Sequence, residues 1–175
     1  MSRSGYSDEC EDQWQNIMFR GRVASATRGK RGQTLLRDLM AALDAMPDKR
    51  LIKNGFVADG AFCTLGVLGA QRGVDMSNFI DGDGDSEDGV YCDRRAVAET
   101  FDVAKPLVQE IMYENDSCIW DDETRHVLEI VGPVRPFWPE YGSHQRTYYL
   151  PDPTAAARRW QYMRAWVAKQ IKGPA

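Results

Sequence analysis

Aromatic and arginine side chains are concentrated within fifteen residues, from Arg135 to Tyr149, where they could bind another molecule. Trp, Tyr and Arg are the residue types that dominate binding hot spots. We therefore predict a partner-binding site formed by Arg135, Phe137, Trp138, Tyr141, Arg146 and Tyr148. The alternative is that some of these rings, Phe137 and Tyr149 above all, fold back onto the domain as a small satellite cluster.

Positive charge is concentrated elsewhere, in residues 20–53, where nine Lys and Arg against three acids give a net charge of +6. Five of these cations could hold an anion or a nucleic acid: Arg20, Arg22, Arg28, Lys30 and Arg31. Gly29 and Gly32 bracket Lys30 and Arg31 just before a predicted helix, whose first N–H groups favour an anion. The spacing differs from that of a GxxxxGK[ST] loop, so nucleotide hydrolysis is not indicated. The plainer alternative is a basic turn between two helices.

Residues 81–123 carry the opposite charge, with fourteen acids against three cations and a net charge of −11. Their first part, residues 81–88, spaces acids like the first half of an EF-hand calcium loop. The sixth position of that loop is Ser86 where glycine is needed, and the twelfth is Cys92 where glutamate is needed. We therefore predict a solvated acidic loop and no metal site.

The residue types that carry nucleophilic or metal chemistry are few and widely spaced. Neither His126 nor His144 has a cysteine, serine or second histidine at a recognised catalytic spacing. The four cysteines form no C-x-x-C pair and are expected to be free thiols, mostly buried: Cys10, Cys63, Cys92 and Cys118. The sequence therefore predicts no catalytic residue, no metal and no cofactor, which favours a protein that is not an enzyme.

Hydrophobic periodicity predicts helices at the start of the chain. A first helix over residues 7–26, capped by a serine, should turn Trp14, Ile17, Met18 and Ala24 toward the core because they share one face. A second, leucine-rich helix should follow and stop at Pro47.

The middle of the chain mixes turn and helix signals. Asp59-Gly60 between two short apolar runs predicts a small β-hairpin. Residues 65–72 predict a small-residue helix ending at Gly73, which suits a left-handed cap. Residues 94–115 predict two helices at an angle that resembles a helix-turn-helix. Because the second of these helices carries acids rather than cations, a structural corner is favoured over DNA reading.

The last third of the chain predicts an insertion and a closing helix. Residues 124–151 should form an inserted arm, rich in aromatic residues and proline, with two strands joined by a long loop. A final helix should begin near residue 152 and pack on the first two. The predicted fold is mainly α, of class α+β: one compact helical domain over residues 1–175 with a small β-hairpin, its core helices within residues 8–123 and 152–172.

Composition sets the broad class of the protein. A chain of 175 residues with 43% hydrophobic and 27% charged residues can bury roughly 70% of its unfolded surface in one domain. No apolar run reaches the ~18 residues of a membrane helix, and the first residues lack the apolar stretch of a secretion signal. We therefore expect a cytoplasmic protein with no membrane partner.

Several stretches resemble a group of small uncharacterised phage and prophage proteins of proteobacteria. The stretches that carry the resemblance are Arg28-Gly-Lys-Arg-Gly-Gln33, Ala42-Leu-Asp44, Lys49-Arg-Leu-Ile52, Cys63-Thr-Leu-Gly66, Arg72-Gly-Val-Asp-Met76, Glu114-Asn-Asp116, Arg159-Trp160, Met163-Arg164 and Trp166-Val167. They cover most of the chain outside the loop near Asp81 and the arm. That family carries no established activity, so the resemblance implies no catalytic residue and instead an accessory protein that binds something in the host.

These observations lead to two functional predictions of different classes. The first is a non-enzymatic interaction protein that binds a host or phage protein through the aromatic arm, countering a host defence system or regulating a phage process. The second is a nucleic-acid-binding regulatory protein that uses the basic residues from Arg20 to Arg31. The apolar faces of the terminal helices could pack within one chain or pair between copies.

Overall fold

The structure is a computed structural model that describes residues 12–81, 91–119, 123–129 and 145–173. The chain divides into two compact units, one formed by residues 1–118 with 156–175 and the other by residues 119–155. The described residues are mainly helical with short antiparallel strand pairs, which confirms the predicted class. The predicted arm, residues 124–151, falls within the second unit.

Helix α1 spans Gln13–Arg28 and begins at Asp12, whose side chain accepts a hydrogen bond from the Gln15 N–H at 2.7 Å. The predicted serine cap and residues 7–11 lie outside the described residues. The predicted core face of this helix is wrong, because Trp14, Ile17 and Met18 are exposed. The buried stripe is instead Phe19, Val23 and Thr27, which repeats every four residues and continues to the end of the helix.

Helix α2 spans Lys30–Ala45 and confirms the leucine-rich prediction, ending just before Pro47. Its leucines at 35, 36, 39 and 43 are buried in the core, where each contributes roughly 1.5–3 kcal/mol. Only Gly29, in an extended conformation, separates α1 from α2. A Cβ at Gly32 would lie 2.0 Å from the Ala26 carbonyl oxygen, so this glycine allows the two helices to meet at a tight corner.

The predicted hairpin forms between β1, Val57–Ala58, and β2, Ala61–Phe62. Asp59 and Gly60 connect the strands with φ angles of 50° and 77°, the left-handed pair that a two-residue type I′ turn requires. Helix α3, Thr64–Gln71, follows directly, and Gly73 at φ 69° ends this region as predicted.

A 3-10 helix, Met76–Phe79, and a two-residue strand pair between β3, Ile80–Asp81, and β4, Tyr91–Cys92, lead to the next helices. The acidic loop between these strands, residues 82–90, lies outside the described residues. The predicted helix pair is α4, Arg94–Thr100, and α5, Lys105–Ser117, with Pro106 in the first turn of α5. Helix α6 spans Ala155–Gln170.

The hydrophobic core of the first unit unites α2 to α6. Met163, Trp166 and Val167 of α6 belong to the same buried cluster as the leucines of α2, which confirms the predicted packing of the last helix for α2; the buried Phe19 and Val23 of α1 are not part of this cluster. Helix α5 adds Leu107, Val108 and Ile111 to the same core. Four polar residues of this helix are also buried: Gln109, Glu110, Glu114 and Asn115. This burial places most of the acidic face of α5 inside the protein and agrees with a structural helical corner.

The second unit contains the two strands predicted for the arm. Strands β5, Glu123–Glu129, and β6, Gln145–Pro151, pair antiparallel, with His126 opposite Tyr148 and Val127 opposite Thr147. The connecting residues 130–144 lie outside the described residues.

Candidate functional site

The β5–β6 hairpin exposes large apolar side chains on both of its faces. Directly opposite residues share a face, so Tyr148 and Leu150 lie on one side and Val127 and Tyr149 on the other. These four side chains are 39%, 45%, 50% and 56% exposed, respectively. The Tyr148 ring stacks on His126, with 5.4 Å between ring centroids and 19° between planes. The hairpin therefore presents an aromatic and aliphatic surface to solvent.

The structure places the predicted partner-binding residues unevenly. Tyr148 is exposed on β6. Arg146 is part of β6, where it pairs with Leu128 of β5. Four of the predicted residues lie outside the described residues: Arg135, Phe137, Trp138 and Tyr141. Tyr149 is 56% exposed, which does not favour the alternative that it folds back into a satellite cluster.

The basic residues are all exposed, but they do not form one patch. Arg20 and Arg22 are about 200° apart around the axis of α1, so they point to opposite flanks of the helix. Arg28, Lys30 and Arg31 lie close together at the corner between α1 and α2. Among the described residues, only Arg31 of these five has a carboxylate partner, Asp102, at 2.9 Å.

A cleft of about 440 Å³ lies beside the first turns of α2 and is lined by Lys30, Arg31, Thr34, Leu35, Arg72, Phe101 and Asp102. Its two arginines are already engaged. Arg31 pairs with Asp102, and Arg72 pairs with Asp38 while its guanidinium carbon lies 5.6 Å from the centroid of the Phe101 ring. An anion here would have to displace exposed ion pairs, which are individually weak.

A second groove, of about 500 Å³, lies between the end of α2, the β1–β2 turn and α3. Its walls are mostly apolar, with Met46, Phe62 and Val67 among them, and the exposed Asp48 and Arg50 also line it. The volume is in the range of small-molecule pockets and suits one apolar side chain or a small apolar ligand.

Asn115, near the end of α5, is the centre of a buried polar network. Its Oδ1 accepts hydrogen bonds from the Thr64 backbone N–H at 3.1 Å and from the Thr64 hydroxyl at 2.7 Å. Its Nδ2 donates to the Ile52 carbonyl oxygen at 2.9 Å and to Asp116 Oδ1 at 2.8 Å. One amide thereby joins α5, the start of α3 and the loop that contains Ile52.

Arg159 of α6 extends this network from the other side. Its guanidinium is buried and donates from Nε to the Asn115 carbonyl at 3.1 Å and from Nη1 to the Leu51 carbonyl at 3.1 Å. Burial raises the pKa of Asp116 above its ordinary value and outweighs the opposing effects of its hydrogen bonds and of the Arg159 charge. Burial also raises the pKa of the Cys118 thiol to about 11, so this cysteine is a poor nucleophile near neutral pH.

Further polar contacts join α6 to α2. Besides the Asn115 contacts, Trp160 Nε1 donates to the Leu43 carbonyl at 3.1 Å, and Arg164 makes two hydrogen bonds to the Asp44 carboxylate at 2.6 and 3.2 Å. The Arg164 guanidinium lowers the pKa of Asp44. Together with the Asn115 contacts, these hydrogen bonds connect α2, α5 and α6, so the residues that make them have a structural role.

Comparison with known proteins gave no match: no family model, no curated protein and no solved structure resembles the chain closely enough to report. Within the described ranges, none of the helices combines the length and apolar character of a bilayer span. The same ranges hold no group of three His, Cys, Asp or Glu side chains arranged to bind a metal ion.

Sequence reasoning missed two exposed apolar surfaces. On the hairpin it did not single out Val127 and Leu150, although the alternation of β5 and β6 places them on opposite faces of the ribbon. On α1 it assigned Trp14 and its neighbours to the core. The signal that could have corrected this assignment is the second stripe, Phe19 and Val23, which carries the periodicity further along the helix.

Proposed function

We propose that this is a binding protein that contacts another protein through the β5–β6 hairpin. The observation that carries the proposal is the exposure of Tyr148, Tyr149, Leu150 and Val127 on the two faces of one ribbon. An isolated two-stranded hairpin is at best marginally stable in water. Covering these side chains with a partner would remove apolar area from water, at about 25 cal/mol per Å².

The geometry of the ribbon supports a protein partner in a second way. Among the described strands, β5 and β6 pair only with each other, so the outer edge of each is not paired with another described strand. An extended segment of a partner can add to such an edge by main-chain hydrogen bonds, while the tyrosine rings supply side-chain contacts. The resemblance to phage and prophage proteins supports a host or phage protein as the partner, and inhibition of a host defence system is one role such binding could serve.

Affinity capture from a proteobacterial host lysate tests this proposal. The intact protein is compared with the double variant Tyr148→Ala/Tyr149→Ala and with Thr147→Ala, a control on the same exposed strand. If the rings are hot spots, the double variant loses about 2 kcal/mol, or roughly 30-fold, in affinity for the captured protein, and the control stays within about 2-fold. Equal capture by all three proteins, at equal unfolding midpoints, would reject the hairpin as the contact surface.

The predicted loop residues are tested in the same assay. Trp138→Ala/Tyr141→Ala should weaken capture by a similar amount if the arm acts as one surface. A loss in this variant without a loss in the Tyr148→Ala/Tyr149→Ala variant would move the contact from the ribbon to the connecting loop.

The second candidate function is nucleic-acid binding at the corner between α1 and α2. It is favoured by Arg28 and Lys30, which are exposed and have no carboxylate partner among the described residues. Phosphate contacts would make such binding fall steeply with salt. A gel shift at low ionic strength that retards neither DNA nor RNA would remove this candidate, and retardation that Arg28→Ala/Lys30→Ala abolishes would favour it.

A further inference from the structure

The groove between the end of α2, the β1–β2 turn and α3 is open because most of its lining side chains are short. Larger apolar side chains, Met46, Phe62 and Val67, belong to the core or pack against it and form part of the wall. A cavity of about 500 Å³ with an apolar lining is typical of small-molecule sites. Alanine or glycine occupies five of the lining positions: Ala42, Ala45, Gly60, Ala61 and Ala70.

The walls of this groove are held in place by contacts within the chain. The Cys63 N–H at the start of α3 donates to the Phe56 carbonyl at 3.0 Å, and a Cβ at Gly66 would lie 2.0 Å from the same oxygen, so α3 rests directly on the chain before β1. The Ile52 N–H donates to the Phe62 carbonyl at 3.0 Å, which fixes the segment between α2 and β1. The groove is therefore preformed, which lowers the entropic cost of binding a ligand.

Three charged side chains line this groove without pairing with one another. Asp48 and Arg50 come from the segment after α2, and Asp59 comes from the β1–β2 turn. None of the three makes an ion pair or a side-chain hydrogen bond with a described residue. Lys49, between the first two, does not line the groove, and its Nζ lies 5.0 Å from the centroid of the Trp160 ring. The groove therefore offers a ligand one guanidinium and two carboxylates beside an apolar wall.

We infer that this groove binds a free α-amino acid with a large apolar side chain. Arg50 pairs with the ligand carboxylate, which a guanidinium can bind through two hydrogen bonds, and the ligand ammonium pairs with Asp48 or Asp59. The ligand side chain lies against the apolar wall.

The three charges favour this zwitterion over other apolar ligands. A neutral apolar molecule would cover part of the charged groups without giving them a partner, which costs free energy. A fatty acid would bring its carboxylate close to Asp48 and Asp59, and an apolar amine would bring its ammonium close to Arg50. Only a ligand that carries both signs satisfies both kinds of group in this groove.

Isothermal titration calorimetry of the full chain tests the ligand class. The probes are L-leucine, L-phenylalanine and L-tryptophan, and at least one of them should bind with a dissociation constant below about 1 mM, as expected for ligands of this size. The amide of that amino acid lacks the carboxylate, and its N-acetyl derivative lacks the ammonium. Each derivative should bind weaker by roughly 5-fold or more, because it loses a charge-assisted contact. Failure of all three amino acids to bind, or equal binding of the amino acid and both derivatives, overturns the inference.

Two variants test whether the ligand lies in this groove. Arg50→Ala should bind the amino acid and its amide equally, within about 2-fold, because the side chain that distinguishes them is gone. Ala70→Phe fills the groove and should weaken binding by about 10-fold or more. Ala168→Phe, at an exposed position on α6 outside the groove, is the control and should bind like the unchanged protein.

The folding of these variants is checked separately. Arg50 and Ala70 are both exposed, so the variants should keep the circular dichroism spectrum and the urea midpoint of the unchanged protein. An Arg50→Ala protein that still prefers the amino acid over its amide contradicts the proposed carboxylate contact. An Ala70→Phe protein that binds as tightly as the control contradicts the groove as the site.

Discussion

The amide of Asn115 is the most consequential single side chain in the buried polar network, and its truncation gives the sharpest stability prediction. Asn115→Ala removes four side-chain hydrogen bonds and leaves the Thr64 N–H and the Ile52 carbonyl without this partner. A net bond contributes about 0.5–1.5 kcal/mol, and a buried group left unsatisfied costs about 1–3 kcal/mol. We therefore expect the free energy of unfolding to fall by about 3–5 kcal/mol.

Urea unfolding followed by circular dichroism at the helix band measures this loss. The urea concentration at the unfolding midpoint should fall, while the slope of the free energy of unfolding against urea concentration stays the same. A thermal scan should show a melting temperature lower by roughly 10 °C. Asn16→Ala is the matched control, since Asn16 lies on α1 and makes no side-chain hydrogen bond to another described residue, and it should change stability by less than about 0.5 kcal/mol. A loss below about 1 kcal/mol for Asn115→Ala would refute the view that this network holds the helices together.

Three further predictions follow from burial and close contact. Burial raises the pKa of Asp116, so this carboxyl adds stability at low pH that is lost as the pH rises from about 3.8 through the raised pKa. In urea unfolding at several pH values, Asp116→Asn should reduce this pH dependence of the free energy of unfolding. At pH 7 the variant should be at least as stable as the unchanged protein. A steeper pH dependence of stability in Asp116→Asn would contradict this prediction. Cys118 should react with iodoacetamide at pH 8 roughly 100-fold more slowly than an ordinary cysteine, as followed by mass spectrometry, and an ordinary rate would show that its thiol is not shielded. Gly32→Ala should lower the free energy of unfolding in urea by more than about 2 kcal/mol, because the added Cβ would meet the Ala26 carbonyl. Gly21→Ala is the control and should be neutral or stabilising, because a Cβ there meets nothing within 4 Å. Equal effects of the two substitutions would rule out the tight corner between α1 and α2.

Local signals in the sequence were sufficient for most of the helices and for one hairpin. The leucine pattern of α2, the proline in the first turn of α5 and the Asp59-Gly60 turn each act over a few residues, and the structure has them where the sequence predicts. Such signals depend on backbone preferences and on one face being buried, which need no knowledge of distant parts of the chain.

The orientation of α1 shows where local patterns fail. Its sequence carries two apolar stripes, and the choice between them depends on which one meets α5 and α2. Phe19 and Val23 are buried because their stripe continues to Thr27, so the helix can pack along its whole length. The stripe of large apolar residues that begins at Trp14 stops after Met18. The periodicity of one sequence shows that α1 has two apolar stripes, but it does not show which of them will pack against the neighbouring helices.

The buried network also lay beyond sequence reasoning. Asn115 and Thr64 are 51 residues apart, and Arg159 reaches Leu51 across 108 residues. Nothing in the short stretch Glu114-Asn-Asp116 indicates that its polar side chains will be enclosed by the fold. The exposed surface of the hairpin was partly predictable, since the aromatic composition of β6 singled out Tyr148, but the presence of apolar side chains on both faces followed only from the strand register.

Amide hydrogen exchange of the intact protein, with and without the captured partner protein, tests the central claim most directly. The account predicts slower exchange in β6, Gln145–Pro151, on binding, with little change in the buried network around Asn115. Protection confined to residues 20–31, or found nowhere in the hairpin, would contradict the hairpin as the binding surface.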